Sequence, residues 1–407
     1  MTEARVHLIG VSPEARSLSP EEREVVASCG LLAGARRHLD LVPEFAGETW
    51  AVEGKLPELV ARIASEPGLR AAVLASGDPG FFGVAGLVYR HIPREEVRVW
   101  PAVSSMQLAF ARAGETWSEA RFASLHGRPI ENLSPVLGEP GVGVFTDPAN
   151  TPPRIARFLL DSGWGDLEMV VAEDLGLPTE RVSRGNPEDL LRWEGSPLNV
   201  VLLVRRGPDP RRLGPGLPDS DFSHSRGLIT KAEVRAVALG LLGLRRGGVL
   251  WDVGAGSGSV SVEACLLTPG LRAYAVEKAR EGFEHTVENR RRFRCAGLQP
   301  VFGEAPAALA ELPNPGSVFV GGSGGLLGPI LDRSWERLCP GGHLVAAAVL
   351  VDTLCEVLGW ARERGLAPAL TEVRAARSRA LSGSVRLEPQ NAVTLAQFVK
   401  PSEGAAP

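Results

Sequence analysis

The sequence predicts an α/β chain built from more than one helix-covered sheet. Three observations predict it. Short apolar, β-branched runs alternate with helical patterns along most of the chain, the rhythm of strands joined by crossover helices. One such run, Val249 to Val253, opens into Gly254-Ala-Gly-Ser-Gly258 and then into a helical pattern from Val260. Between two such series lies Arg205 to Pro218, where proline and glycine dominate and periodicity stops. At 407 residues the chain has room for two or three domains, each burying its own core.

Composition narrows the function classes. Hydrophobic residues make up 44% and charged residues 23%, ordinary for a soluble globular protein. The net charge of −4 gives no broad field for gripping nucleic acid or an anionic membrane. The longest apolar run, Leu344 to Val351, is too short to span a bilayer, and the start lacks a signal-peptide core, so a cytoplasmic location is expected. The cysteines at 29, 265, 295, 339 and 355 form no C-x-x-C and have no histidine cluster beside them. No metal site or disulfide framework is expected.

In order, Arg5 to Val11 reads as a first strand and Ser19-Pro-Glu-Glu22 as a helix start, with a serine cap, proline in the first turn and acids at the dipole's positive end. Strand runs follow at Leu31-Leu32, Ala71 to Ala75 and Val97 to Trp100, with helices over Leu56–Ser65, Phe82–His91 and Ser104–Ala113. A second portion opens near Arg121 with strands at Phe122–His126, Val142–Thr146, Glu168–Ala172 and Leu198–Arg205, and a helix from Thr151 to Asp161. Residues 1–206 therefore form a first domain in portions of about 1–117 and 118–206, 207–222 a solvated linker, and 223–407 a further domain. There, Thr230 with Glu233 reads as a capping box. The glycine run follows, then a strand ending at Glu277, further strands at 299–302, 317–320 and 343–350, and closing strands near 368–373 and 392–398.

The stretch from Val249 to Glu277 carries the chemistry. Gly254, Gly256 and Gly258 let the main chain approach a ligand, and the following helix start offers unpaired N–H groups. Glu277, closing the second strand, stands where a ribose diol needs an acceptor. A dinucleotide fingerprint would place its third small residue at Ser259, so an adenosyl ligand carrying an amino acid, S-adenosylmethionine, fits better than a nicotinamide dinucleotide. In the first domain, Ser76-Gly-Asp-Pro-Gly80 and Trp100-Pro-Ala-Val-Ser-Ser105 sit at strand ends, where open α/β sheets bind ligands, although each also reads as a plain turn. His126 ends a strand beside glycine, where a lone histidine is more often a hydrogen-bonded scaffold residue than a proton shuttle.

Two sets of motifs then match known families. The C-terminal half resembles the decarboxylating precorrin methyltransferases of the cobalamin pathway, through Thr230-Lys-Ala-Glu-Val-Arg235, Trp251-Asp-Val-Gly-Ala-Gly-Ser-Gly258, Gly303-Glu-Ala-Pro306 and Phe319-Val-Gly-Gly-Ser323. The N-terminal half resembles the tetrapyrrole methylases, through Ser76-Gly-Asp-Pro79, Pro101-Ala-Val-Ser-Ser105, Ser124-Leu-His-Gly-Arg128, Phe145-Thr-Asp147 and Val171-Ala-Glu-Asp-Leu-Gly176. Together they resemble the fused, decarboxylating precorrin-6Y (6B) methyltransferase family. One departure stands out: the usual Gly-x-Gly-Pro-Gly loop is here Gly10-Val-Ser-Pro-Glu14.

The resemblance implies a tetrapyrrole-methylase fold followed by a Rossmann-like methyltransferase domain. It also implies S-adenosylmethionine as cofactor, methylation of precorrin-6B at carbons 5 and 15, loss of CO₂ from the ring C acetate to give precorrin-8, and a homo-oligomer. Mapped residue by residue, the C-terminal donor set is Thr230, Gly254, Ala255, Gly256, Ser257, Gly258, Glu277 and Ala305. The N-terminal set is Gly77, Asp78, Ser104, Ser105, Thr146 and Asp147. Substrate carboxylates call for cations, so Lys231, Arg235, Arg379 and Arg386 are candidates beside Gly322, Ser323 and His126, though each charge also suits a solvated surface. No catalytic acid or base is assigned. Other readings are the cobalt-precorrin counterpart, a nicotinamide-dependent reductase and a nucleic-acid methyltransferase. Against the last, the fourth C-terminal strand ends in Val320-Gly-Gly-Ser323 rather than N/D-P-P-Y/F, and the acidic balance disfavours RNA.

Overall fold

A computed structural model describes residues 4–225 and 227–402. The chain divides into two compact units. The first comprises Met1–Arg128, Glu139–Ile155 and Asp166–Gly207, and the second Pro129–Gly138, Ala156–Gly165 and Pro208–Pro407.

The first unit holds two five-stranded sheets. Strands β1 (Val6–Val11), β2 (Leu31–Gly34), β3 (Glu48–Ala51), β4 (Ala71–Ser76) and β5 (Val97–Trp100) lie in the order β3-β2-β4-β1-β5. Every pairing is parallel, as the strand–helix alternation requires. Strand β1 sits beside the centre and is buried along its whole length. The helix Pro20–Ala27 carries the expected serine cap and extends it to a capping box: Ser19 Oγ accepts from Glu22 N–H, and the Glu22 carboxylate accepts from Ser19 N–H. The helix expected over Phe82–His91 shrinks to Ala85–Val88. Turn chemistry outweighs periodicity there, because Phe82 has φ +53° and a Cβ on Gly83 would lie 2.5 Å from the Pro79 carbonyl.

The other sheet combines β6 (Arg121–Ser124), β7 (Gly141–Phe145), β8 (Glu168–Glu173), β9 (Arg181–Gly185) and β10 (Asn199–Val204) in the order β6-β7-β10-β8-β9. Only β6–β7 is parallel; the β7–β10, β10–β8 and β8–β9 pairings are antiparallel. Strand β9 is an edge rich in arginine and glycine, too polar for an apolar-run reading to find.

In the second unit, β11 (Val249–Val253), β12 (Arg272–Glu277), β13 (Leu298–Phe302), β14 (Ser317–Val320), β15 (His343–Ala348), β16 (Ala369–Val373) and the later β19 (Val393–Val399) make one sheet, β13-β12-β11-β14-β15-β19-β16. The first five are parallel, and β19 runs antiparallel to both β15 and β16. This is a Rossmann-like sheet whose order reverses between β11 and β14, the place where such sheets bind ligands. Between β16 and β19 the chain makes an exposed hairpin of β17 (Ala376–Leu381) and β18 (Ser384–Pro389) that the sequence reading passed over. The proline-rich stretch is more than a tether, since Leu217 and Phe222 are buried in this unit's core.

The capping box expected at Thr230 is absent. The helix Ala232–Leu241 is preceded by Lys231 with no side-chain cap bond, and the Glu233 carboxylate instead binds Arg377 at 2.6 and 2.9 Å. A long-range ion pair has taken the side chain that the local motif needed.

Candidate functional site

In the second unit the site is assembled by backbone. Gly254 (φ +69°) follows β11, and a Cβ there would lie 2.4 Å from the Gly322 carbonyl at the end of β14, so the two strand ends meet main chain to main chain. Glu277 closes β12 and knits the loop: its Oε2 accepts from Gly256 N–H at 2.9 Å and its Oε1 from Ala279 N–H at 2.7 Å. Thr286 Oγ1 donates to Gly256 O and Asn289 Nδ2 to Ser257 O, both from the helix Arg280–Arg292. The buried Ser257 hydroxyl has no partner among the described residues. A pocket of about 160 Å³ gathers Gly254, Glu277, Ala305, Gly322 and Ser323 from the expected set, with Lys278 and Glu304 on its wall. The carbonyl of Leu228 lies 3.9 Å from where a Gly256 Cβ would stand, so the segment leading to Thr230 runs beside the loop.

Asp252, which the sequence reading left out, sits beneath the loop with its carboxylate accepting from Ser261 N–H and Oγ–H at 3.2 and 2.7 Å. Burial pushes its pKa up to about 6 against the Ser261 hydrogen bonds, and the nearby Glu277 charge adds to the rise. An acid one residue before the end of a buried strand, directly ahead of the glycines, was the available signal. Lys278, ion-paired with Glu304 at 2.8 Å, was missed too, because a surface lysine carries no pattern.

The expected substrate cations are corrected in part. Arg235 is fully buried and cannot meet a ligand. Its guanidinium pairs with Glu263 at 2.6 Å and Asp219 at 3.4 Å and donates to the carbonyls of Thr230 and Leu217. Glu263 in turn accepts from Gly216 and Leu217 N–H. The sequence offered Arg235 as a substrate cation, with a solvated surface as the alternative; tertiary pairing places it inside. Lys231 reaches Asp219 at 3.8 Å. Arg379 and Arg386 lie opposite each other on the hairpin, both donating to Glu388 and both exposed, away from the pocket lining.

In the first unit a cavity of about 490 Å³ opens at the strand ends, a volume within the usual range for small-molecule sites. It brings Gly77, Ser105, Thr146, Asp147 and His126 together. Thr146 Oγ1 donates to Asn199 O at 2.9 Å. Asp147 accepts from the N–H groups of Gly127, Ala149 and Asn150, and these bonds hold its carboxyl below the usual range. Asp78 and Ser104 line a separate recess of about 100 Å³ instead. Both have local duties: Asp78 Oδ1 accepts from Gly80 N–H, and Ser104 Oγ caps its helix through Gln107 N–H. The altered Gly10 loop keeps the one glycine its geometry demands, because a Cβ there would lie 2.4 Å from Gly77 O and 2.8 Å from Ala102 N. Ser12 and Pro13 of that loop line the cavity, as do Arg16, Arg37 and His38, which the sequence reading did not select.

Among the described residues no helix is long and apolar enough to cross a membrane, and no group of three or more His, Cys, Asp or Glu side chains could hold a metal.

Both units therefore present a strand-end cavity suited to a small ligand, and both match methyltransferase families. Residues 5–191 match the tetrapyrrole (corrin/porphyrin) methylases, and residues 221–400 the precorrin methyltransferase domain. The chain is 36% identical over 401 residues to the precorrin-6Y C(5,15)-methyltransferase [decarboxylating] of Sinorhizobium sp, covering 97% of this chain and 96% of that protein. It is 33% identical over 369 residues to the protein of the same name from Mycobacterium tuberculosis (strain CDC 1551 / Oshkosh), covering 85% and 87%. A solved structure titled precorrin-6y C5,15-methyltransferase, from Geobacter metallireducens GS-15, matches with TM-score 0.44 and 36% identity over 46% of this chain and 98% of that one. The chain belongs to the family of decarboxylating precorrin-6Y C(5,15)-methyltransferases, S-adenosylmethionine-dependent enzymes.

Proposed function

We propose that this enzyme methylates precorrin-6B at carbons 5 and 15 and removes CO₂ from the ring C acetate, giving precorrin-8 in cobalamin biosynthesis. The observation that carries the reading is the match along 97% of the chain to a protein bearing that activity's name. Two strand-end cavities, one per unit, support a division of labour. On this reading residues 1–206 handle position 5, residues 223–407 handle position 15 and the decarboxylation, and 207–222 join them. The enzyme acts in the cytoplasm as a homo-oligomer, with neither nucleic acid nor membrane as partner.

S-adenosylmethionine, when bound, supplies an activated methyl group. Gly254 through Gly258 offer the second unit's donor a close backbone approach, Glu277 an acceptor for its ribose, and Thr230 and Ala305 its flanks. The unpartnered Ser257 hydroxyl fits a loop that expects a polar ligand. Gly77, Ser105, Thr146 and Asp147, with Asp78 and Ser104 behind them, serve the first unit's donor. Gly322, Ser323 and Lys231 of the second unit, and His126 of the first, face the tetrapyrrole. The bridging carbons of a reduced tetrapyrrole are enamine-like nucleophiles, so positioning supplies much of the rate, up to ~7–11 kcal/mol in favourable cases.

The test is mass spectrometry of the full chain with methyl-labelled S-adenosylmethionine and metal-free precorrin-6B. A product carrying two labelled methyls and lacking one CO₂ is expected. An unchanged ring, or turnover of only the cobalt-containing ring, would overturn the assignment.

A further inference from the structure

The large cavity of the first unit is unequally charged. The one carboxylate in its lining, Asp147, already accepts three backbone N–H bonds. Against it stand Arg16 and Arg37, neither of which forms an ion pair among the described residues. Arg16 spends one donor on the Gly176 carbonyl at 2.7 Å. Arg37 is held by its neighbours: its Nη2 donates to Ser76 Oγ at 3.0 Å, and its Nε lies 3.4 Å from His38 Nε2. His38 Nε2 is also 3.4 Å from that hydroxyl, so Ser76 is gripped from both sides. The His38 ring is 6% exposed, whereas Arg37 is exposed at the cavity edge. Burial, and then the adjoining Arg37 charge, hold the His38 pKa below its ordinary value, which leaves the arginine as the fixed positive charge of the group.

We propose that Arg37, oriented by Ser76 and His38, is a carboxylate-binding subsite that anchors an acidic side chain of the tetrapyrrole during methyl transfer by the first unit. The assignment rests on the function proposed above. A guanidinium with no counter-ion among the described residues, facing a cavity and pinned through Nη2 and Nε, keeps its Nη1 and second Nη2 N–H groups for a planar anion that it can grip with two parallel bonds. Two carboxylates compete for it: a ring side chain and the amino-acid end of the donor. Exposure at the cavity edge favours the larger molecule, which must extend beyond the cavity. Arg37 is then a positioning residue that sets where the reacting carbon lies and takes no part in bond making.

The experiment uses the full chain with labelled S-adenosylmethionine and metal-free precorrin-6B, following the methyls at carbons 5 and 15 separately. In Arg37→Ala the apparent KM for the tetrapyrrole in carbon 5 methylation is expected to rise roughly tenfold or more, the worth of a charge-assisted hydrogen-bonded pair. The KM for S-adenosylmethionine and the carbon 15 reaction should hold, and Arg37→Lys should recover part of the loss by keeping the charge without the fork. A rise in the KM for S-adenosylmethionine alone would assign the subsite to the donor and overturn the proposal. An unchanged tetrapyrrole KM in Arg37→Ala, beside a wild type that works, would overturn it as well. If the wild type transfers no methyl to this ring, the proposed function fails, and the subsite for this ring with it. Unmoved calorimetric transitions of the full-chain variants, the first unit's among them, certify their folding.

Discussion

Replacing Arg235 with methionine tests whether this residue is architecture or ligand contact. The substitution keeps most of the stem's volume and removes the guanidinium, which leaves the fully buried Glu263 carboxylate without its cation. Breaking a buried pair from one side costs about 3–5 kcal/mol, because the remaining charge stays desolvated. Glu263 keeps the Gly216 and Leu217 N–H bonds at 2.9 and 2.8 Å, which argues for the lower half of that range. The orphaned Thr230 and Leu217 carbonyls argue for the upper half. For a unit of this size the cost lowers its melting temperature by roughly 6–20 °C, at about 2–4 °C per kcal/mol. Calorimetry of the full chain reads it, since two compact units need not melt together. Adding Glu263→Gln, which removes the charge and leaves one oxygen for one of the two loop N–H groups, should restore part of the loss. Unmoved transitions in Arg235→Met would refute the reasoning, and weakened tetrapyrrole binding with unmoved transitions would return Arg235 to the substrate.

Two further predictions concern the same unit. Gly254→Ala puts a Cβ 2.4 Å from the Gly322 carbonyl in a φ +69° conformation, so carbon 15 methylation should fall about a hundredfold through displacement of the loop while carbon 5 methylation persists; label counting checks both. Asp252 is an acid whose folded pKa of about 6 lies above its unfolded value, so the folded state holds the extra proton and stability falls as pH rises from about 4 to 6. Asp252→Asn keeps an acceptor for Ser261 and removes that dependence, worth up to about 3 kcal/mol. Urea titrations across this range should show the wild type losing ground to the variant as pH rises, and a constant difference between them would contradict the pKa.

The features that read well from sequence were turns and strand ends made by backbone. The run from Trp251 to Gly258 needs left-handed φ at Gly254, Gly256 and Gly258, and only a few residue types satisfy that, so the pattern is visible in one dimension. Glu277 was legible because the parallel register of β11 against β12 fixes where the second strand ends. Charged side chains behaved otherwise. Arg235 and Arg379 look alike in sequence, yet one is enclosed by Glu263 and Asp219 while the other hangs on a hairpin, because partners distant along the chain decide burial. Arg37 and His38 were passed over for the same reason: their value lies in meeting Ser76, thirty-nine and thirty-eight positions away. Thr230 shows a local rule losing outright, since Arg377 claims the glutamate that a capping box would have used.

The place of β19 in the second unit's sheet has a consequence for how the protein is made. Among the described residues, strand β16 has β19 as its only hydrogen-bonded neighbour in that sheet, and β15 reaches β16 only through it. Yet β19 is translated after both, some twenty residues beyond β16. While the polypeptide grows, β15 carries an open edge and β16 has nothing to pair with, so nascent chains of this length offer a template to one another. A premature stop before residue 393 freezes that state, and such fragments are expected to collect in inclusion bodies even though every strand of the glycine-loop site is already present. For expression and tagging, a strand that lines neither cavity is the one that decides whether the chemistry can be recovered.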